Sequence, residues 1–524
     1  MTTSVATPIA TFTDSQTHLL AGLACIDLRV RWAVARARAN GLNPDDEFRG
    51  LYVADAHVDA LLGYDIGGHL WQTANGRQGH TPADWQQWAN TVTQARQNWQ
   101  AETDAFPQAD TLRLHTLSRD FRLTPTEVDT LLIALAPELD PRYERLFAYL
   151  QDDVTRKRPS VDLILNLLTH SFTDKLALRR LLTEDGRLRQ HHLIQLHGDP
   201  HTPLLAQFVR PAPHLTEFLL GQDGLDGRLA NIARLPPQTQ KLIPRRLDPD
   251  FAQRLIEQSQ SENPPLHIFV GGYGVGKLEA ARLIAQAHAT TLLTVDGRKL
   301  HDDPARLPLA LRDGRLHQAV FYLHHADALL DDGRLPSHLL QAILAYPRPA
   351  IIAGQTGWPP RLARTRPIFT ITFPGADYGR RLHHWQTILG QPKADAPVDL
   401  RPLANQFRFT PGQIEDAAAS ARDLAHWQQT PLNAGHLFAA SRAHSNQKLA
   451  DLATKIQPRY GWDDIVLPPD TLAQLHEMVN TVRQRPIVYG EWGFGGKMAL
   501  GKGLNALFAG ESGTGKTMAA DVMA

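Results

Sequence analysis

From about residue 12 onward the apolar positions recur at helical spacing. Leu19, Leu20, Leu23, Ile26, Leu28 and Val30 form one stripe, which predicts a helix with Asp14 or Ser15 at its N-cap. Residues 83–104, rich in Gln, Trp and Ala, read as a polar helix or linker. Phe121-Arg122-Leu123-Thr124-Pro125-Thr126-Glu127-Val128 opens a second helical unit. Thr124 suits the N-cap, Pro125 the first helical position, and Glu127 the far side of a capping box. Val128, Leu131, Leu132 and Leu135 follow at helical spacing.

Helices then alternate with short apolar segments up to Leu219-Leu220. The rhythm is compatible with a winged-helix-like module, and an irregular helical bundle fits the pattern nearly as well. From about 245 the period changes. Leu266–Val270, Thr291–Val295, Ala319–Leu323, Ala350–Ala353 and Ile368–Phe373 are short apolar runs separated by helical segments, the signature of a parallel α/β sheet. Residues 397–445 are again helical, a polar stretch follows near 444–460, and a fresh unit opens at Tyr460-Gly461-Trp462-Asp463-Asp464-Ile465.

Length and charge narrow the reading. A chain of 524 residues calls for two to four domains. Lys plus Arg equal Asp plus Glu, at 54 each, so no overall basic field attracts nucleic acid. The single cysteine, Cys25, excludes internal disulfides and CxxC metal sites and is expected to be buried. The N-terminus shows no signal peptide, and no apolar run reaches the ~18 residues of a membrane helix. The expected location is the cytoplasm, without membrane contact.

Two glycine-rich loops carry the candidate chemistry. Gly510-Glu511-Ser512-Gly513-Thr514-Gly515-Lys516-Thr517 matches GxxxxGK[ST] completely. Leu504 to Ala509 reads as the buried strand before it, and Met518 to Ala524 as the helix after it. In that context backbone N–H groups would face the phosphates, Lys516 would contact β/γ-phosphate oxygens, and Thr517 would ligate Mg²⁺. Gly510 to Met518 are therefore the nucleotide-binding candidates. No catalytic residue is assigned, and the water-activating Glu is expected downstream of the sequence.

The other loop, Gly271-Gly272-Tyr273-Gly274-Val275-Gly276-Lys277-Leu278, keeps the glycines and the lysine but has Leu278 where Mg²⁺ needs a hydroxyl. The following acidic strand should end in Asp-Glu, yet it reads Phe321-Tyr322-Leu323-His324-His325. Gly271, Gly274, Gly276 and Lys277 thus form a degenerate nucleotide site, competent at most for weak binding. Imidazoles do not replace carboxylates on Mg²⁺, which prefers oxygen ligands. Adjacent positions on a strand point opposite ways, which argues against His324 and His325 sharing a transition metal. The 24 histidines otherwise show no HExxH or Cys/His spacing. Arg361, Arg364 and Arg366 precede the last strand, where ordinary solvated arginines compete with a role at a neighbouring subunit's nucleotide.

Residues Ile268 to about Ala443 resemble a whole AAA+ module, with phosphate loop, acidic strand, sensor strand and helical lid. Phe407-Arg408-Phe409-Thr410-Pro411-Gly412-Gln413-Ile414 resembles the start of a late lid helix, and Gln355-Thr356 replaces the usual sensor Asn. Tyr460 to Ile465 resembles the entry to a second AAA+ module. Ala136-Pro137-Glu138-Leu139-Asp140 through Asp153, and Trp492-Gly493-Phe494 through the phosphate loop, resemble tandem AAA+ proteins, some associated with contractile injection systems. The resemblance implies a helical region (1–110), a winged-helix-like region (111–240), a degenerate AAA+ core (245–395), a lid (396–450) and the start of a second AAA+ module (455–524). It further implies ATP and Mg²⁺ as cofactors, hydrolysis coupled to remodelling of a protein client, and a homo-oligomeric ring in the complete protein. The chain is expected to be truncated, inactive in hydrolysis as it stands, and loosely packed after about 455. A nucleotide-regulated scaffold, or a DNA remodeller using Arg156-Lys157-Arg158 and Arg179-Arg180, are the alternatives.

Overall fold

The computed structural model describes residues 12–39, 82–199, 201–236, 247–261, 263–360, 366–390, 398–445, 460–485, 488, 492 and 504–523. Helix α1 (Ser15–Ala39) starts where Asp14 Oδ1 accepts the Thr17 N–H at 2.8 Å. Leu19, Leu23, Ile26 and Val30 are buried, whereas Leu20 is 60% exposed. One residue turns a helix by about 100°, so Leu20 lies beyond the stripe that Leu19 and Leu23 define. The polar segment is a true helix, α2 (Pro82–Asp104), which lays Val92, Trp99 and Thr103 inward. Trp99 Nε1 donates to the His18 carbonyl at 3.3 Å and its ring stacks on the His18 imidazole. Cys25 is buried between these helices, and burial pushes its thiol up to about 11.

Helices α3 (Arg113–Asp120), α4 (Pro125–Leu139), α5 (Arg142–Leu150), α6 (Val161–Leu168), α7 (Phe172–Arg179) and α8 (Arg187–Gln190) complete the helical part. The α4 capping box forms in full between Thr124 and Glu127. Strands β1 (Ile194–His197) and β2 (Phe208–Pro211) make an antiparallel ribbon in register Ile194↔Pro211 to His197↔Phe208, followed by α9 (Pro213–Leu219). Ser160, just ahead of α6, bridges to Phe208, so the ribbon is fastened to the helices like a wing. One continuous core runs from Phe12 to Leu219 and takes in Leu316 from further along the chain.

The α/β part contains β3 (Ala233–Arg234), α10 (Pro249–Ser259), β4 (Leu266–Val270), α11 (Lys277–Ala287), β5 (Leu292–Asp296), α12 (Gly297–Asp302) and α13 (Leu307–Leu316). It continues through β6 (Val320–His324), α14 (Ser337–Leu344), β7 (Ala350–Gly354) and β8 (Ile368–Thr372). The sheet order is β3-β5-β6-β7-β4-β8, parallel except for the antiparallel edge β3. Alternate residues feed opposite faces: Ile268, Leu293, Phe321 and Ile352 enter one core, Phe269, Leu292, Val320 and Ile351 the other. Burial on both faces explains why these strands read as unbroken apolar runs. β4 lies between β7 and β8, so the connections diverge at its carboxyl end and open the crevice where such sheets take ligands.

The helical unit comprises α15 (Tyr378–Leu389), α16 (Arg401–Gln406), α17 (Pro411–Trp427) and α18 (Ala434–Ser445) around Trp385, Phe407 and Ile414. It begins ahead of residue 396, because Trp385 of α15 is wholly buried in its core. Helix α19 (Pro469–Arg485) packs with α20 (Lys516–Met523) through a small cluster of Ile465, Leu475 and Ala519. The strand expected at 504–509 does not form, and Leu507 is 94% exposed. No partner strand among the described residues pairs with that segment, and an extended chain gains no ladder alone.

A buried charge network joins the two large parts. Arg312 of α13 is 2% exposed. Its guanidinium donates to Asp313 Oδ1 at 2.9 and 2.8 Å, to Asp226 Oδ2 at 2.7 Å, and to the His192 carbonyl at 3.1 Å. Burial pushes the Asp226 carboxyl up, but hydrogen bonds from Arg228 and Arg312 outweigh it and hold it well below the usual range. Removing one partner of such a network strands the others, so Arg312→Met is expected to cost about 3–5 kcal/mol in denaturant unfolding. A loss below about 1 kcal/mol would show that the joint is peripheral.

His267 on β4 is fully buried, and neither ring nitrogen has a hydrogen-bond partner. Burial, then nearby Arg366, pulls its pKa down to about 4, and burial does the same first for His18 and His191. The unfolded imidazole takes its proton near 6.5. Between those values the unfolded chain binds more protons, so stability is complete above about pH 6.5 and falls as pH drops towards 4. His267→Leu is expected to raise the melting temperature and flatten that acid branch, and an unaltered pH profile would contradict it.

Candidate nucleotide sites

The first glycine-rich loop leaves β4 at the switch point and enters α11 at Lys277. Gly274 and Gly276 have φ of 73° and 103°, values that glycine alone adopts readily. Lys277 Nζ turns back on its own loop, donating to the carbonyls of Gly271, Gly272 (3.2 Å) and Gly354 (2.9 Å). Burial lowers the pKa of this ammonium, with Asp327 opposing. Leu278 is half-buried and packs on the core around Phe269 and Val275, so an apolar contact occupies the hydroxyl position.

The lid rests directly on this loop. Gly412, in the first turn of α17, donates its N–H to the Gly274 carbonyl at 2.9 Å. A Cβ on Gly274 would lie 2.7 Å from Gly412 Cα, and one on Gly412 would lie 2.6 Å from Gly274 Cα. Thr410 caps α17 in a second full capping box, with Gln413. The helix N-terminus that could face an anion instead faces a loop carbonyl.

Asp327 is a residue whose role the sequence reading missed. Its Oδ2 accepts the Gln355 N–H at 2.7 Å, and its Oδ1 accepts the Thr356 N–H at 3.0 Å and hydroxyl at 2.8 Å. Burial raises its pKa, but those backbone donors outweigh it and lower it overall. It is the one acid in the stretch 319–329, which was the available signal. Its carboxylate thereby secures the altered sensor segment at the end of β7.

The histidine pair departs from expectation. His324 ends β6 opposite Asp296 of β5, but His325 takes φ 54° and ψ 38°. That left-handed turn ends the strand alternation and brings both rings to one side. Their Nδ1 atoms are 2.7 Å apart, and His325 Nδ1 is 3.1 Å from Asp296 Oδ1. Burial, then His325, pulls His324 down to about 4. For Asp296, hydrogen bonds led by Arg298 overcome burial and bring it to about 2. The two imidazoles therefore converge, against the expectation from strand alternation.

The second loop has the same backbone course. Gly510, Gly513 and Gly515 have φ of 153°, 87° and 83°, against 157°, 73° and 103° at Gly271, Gly274 and Gly276. Helix α20 begins at Lys516, as α11 begins at Lys277. Lys516 Nζ donates to the Gly510 carbonyl at 2.9 Å, and Thr514 Oγ1 to the Glu511 carbonyl at 2.9 Å. Glu511, Ser512 and Thr517 are exposed, Met518 is half-buried, and a Cβ on Gly513 or Gly515 would meet nothing within 4 Å. No lid covers this loop among the described residues.

Of the three arginines, Arg361 and Arg364 lie outside the described residues. Arg366 is neither solvated nor turned outward. It is 6% exposed and donates to the carbonyls of Ile343, Tyr346 and Arg348 at 2.8, 2.9 and 3.1 Å, closing the end of α14. Burial lowers its pKa to about 10.

A family model described as a winged helix domain, variant, matches residues 1–233, and one described as a contractile injection system ATPase helical domain matches residues 377–447. The second covers α15 to α18 and supports an AAA+ ATPase-like relation. No curated protein matches the sequence. A solved structure titled for the structural basis of katanin self-assembly aligns at 20% identity and a TM-score of 0.31, covering 37% of this chain and 81% of that one. A likeness of that degree bears on nothing here. Among the described residues no helix is long and apolar enough to cross a membrane.

Gly412→Ala tests the contact between lid and loop. Alanine would gain up to ~1 kcal/mol of helix propensity, but displacing the loop costs about 1–3 kcal/mol. The expected net result is faster proteolysis of residues 398–445 and a lower melting temperature, whereas a stabilised variant would contradict the contact.

Proposed function

We propose that the protein is an ATP-binding, AAA+-like ATPase whose working nucleotide loop is Gly510 to Met518, with Lys516 on the phosphates and Thr517 on Mg²⁺. One observation carries the reading: two loops share a backbone turn and a lysine folded back on loop carbonyls, and among the described residues only the first is covered, by Gly412 at the head of α17. In the second the glycine turn, the lysine and the helix start are together without that covering. The exposed Thr517 hydroxyl supplies the oxygen that a hard cation prefers. The first module then acts as structure, with Gly274 seating the lid, Lys277 tying the loop to Gly354, and Gly271 and Gly276 shaping the turn.

Hydrolysis in the complete protein would drive remodelling of a protein client within a homo-oligomeric ring; the helical-domain match at residues 377–447 supports the ATPase part of that reading. DNA remodelling is disfavoured by a specific observation. Arg156 pairs with Asp153 at 3.2 Å and Arg158 with Glu138 at 2.6 Å, so the densest basic cluster is spent on neighbouring carboxylates. The scaffold reading keeps one support, the closed first site.

Binding of a fluorescent ATP analogue to the full chain with Mg²⁺ separates these readings. Lys516→Ala is expected to weaken affinity at least about tenfold, the ~1.4 kcal/mol of a lost charge-assisted contact, and Lys277→Ala to leave it within about twofold. Equal effects of the two substitutions, or no binding by the parent, would favour the scaffold.

A further inference from the structure

We propose that Asp296, His324 and His325 form a site for a divalent transition metal, with zinc as the reference ion, at the carboxyl edge of the first module's sheet. Position comes first. Asp296 and His324 are direct partners on adjacent parallel strands, and the left-handed His325 swings its ring to meet them. One ligand atom from each residue lies within 4.8 Å of the other two. Zinc holds nitrogen and carboxylate oxygen at about 2.0–2.1 Å in a tetrahedron, so ligand atoms sit about 3.3 Å apart. The observed 2.7 and 3.1 Å need only a small spreading to reach that edge.

Proton counting points the same way. His325 Nδ1 carries at most one hydrogen, yet it faces both His324 Nδ1 and Asp296 Oδ1. With neutral rings, either that hydrogen is shared or one contact sets lone pair against lone pair. A cation satisfies all three atoms at once. Two imidazole nitrogens and one carboxylate suit zinc, cobalt, nickel or copper, whereas Mg²⁺ and Ca²⁺ require oxygens. The substitution that removes the Mg²⁺ carboxylates would therefore change the class of ion.

The surroundings hold the three in place and leave an opening. A Cβ on Gly297 would lie 2.6 Å from the His325 carbonyl oxygen, so α12 abuts the backbone of the pair. His324 stacks near Tyr322, with ring centroids 6.0 Å apart. The Arg298 side chain donates to Asp296 Oδ2 at 3.1 Å and to Oδ1 at 3.3 Å, and its backbone N–H donates to Oδ1 at 3.1 Å. It orients the carboxylate and is the internal competitor for Oδ1. The His325 side chain is 42% exposed, which gives an entry path and room for a fourth ligand from solvent.

Titration of the full chain with Co²⁺, followed by its visible absorption, and with Zn²⁺ by calorimetry tests the site. One tetrahedral Co²⁺ per chain is expected, displaced by Zn²⁺, with His324→Ala and His325→Ala each weakening binding at least about tenfold. Zn²⁺ should raise the melting temperature of the parent chain but not of the double variant. Because either substitution could disturb the sheet edge, His324→Asp with His325→Glu serves as a second variant that keeps a polar cluster and should lose the Co²⁺ spectrum. Equal binding by parent and folded double variant, or octahedral Co²⁺ only, would overturn the proposal and assign the ions to other histidines.

Discussion

A guanidinium with almost no access to water determines how the two large parts of this protein meet. Arg312 sits among Asp226, Asp313 and the His192 carbonyl, contributed by the connection, α13 and the approach to β1. A buried charge is tolerable only when every partner stays within hydrogen-bond range. The wing-bearing helices therefore cannot pivot on the α/β sheet without pulling the Arg312 guanidinium away from the Asp226 carboxylate and the His192 carbonyl. Leu316, one turn further along α13, continues the same joint into the apolar core of the helical part. The arrangement couples charge satisfaction to apolar packing across one helix.

The first glycine-rich loop is closed by the same principle at smaller scale. Lys277 is occupied by loop carbonyls, Asp327 by the N–H groups after β7, and Gly274 by the start of α17. Each of these groups already has a partner inside the protein. Opening the site would forfeit several hydrogen bonds together, and no single restored side chain supplies them. Replacing Leu278 by threonine would add a hydroxyl while leaving the lid seated.

The sequence disclosed most of the fold because its signals are local. The Thr124 capping box, the start of α17 at residues 407–414, the buried parallel strands and both glycine turns each lie within a few residues. What escaped depends on distant partners. Leu20 missed the core because an apolar residue beside a stripe is not in it, and Leu504–Ala509 resembles a strand but has no ladder among the described residues. Arg366 could not be separated from solvated arginines before the end of α14 was seen closing on it. His325 misled for a backbone reason, since alternation along a strand holds only while φ stays negative. Asp327 was hidden because an acid three residues past a strand carries no pattern of its own.

The paired glycines also bear on how motifs are interpreted. Gly274 must be glycine because its φ is positive and because another backbone lies against it, and Gly412 must be glycine for the second reason alone. Both demands are met with no phosphate involved. A scan for glycine-rich loops would score residues 271–277 as evidence of nucleotide chemistry, although at Gly274 a backbone contact with Gly412 is sufficient to require the same letter. The residue that discriminates between the causes stands outside the loop, at the head of a lid helix about 140 residues later, where a motif search does not look.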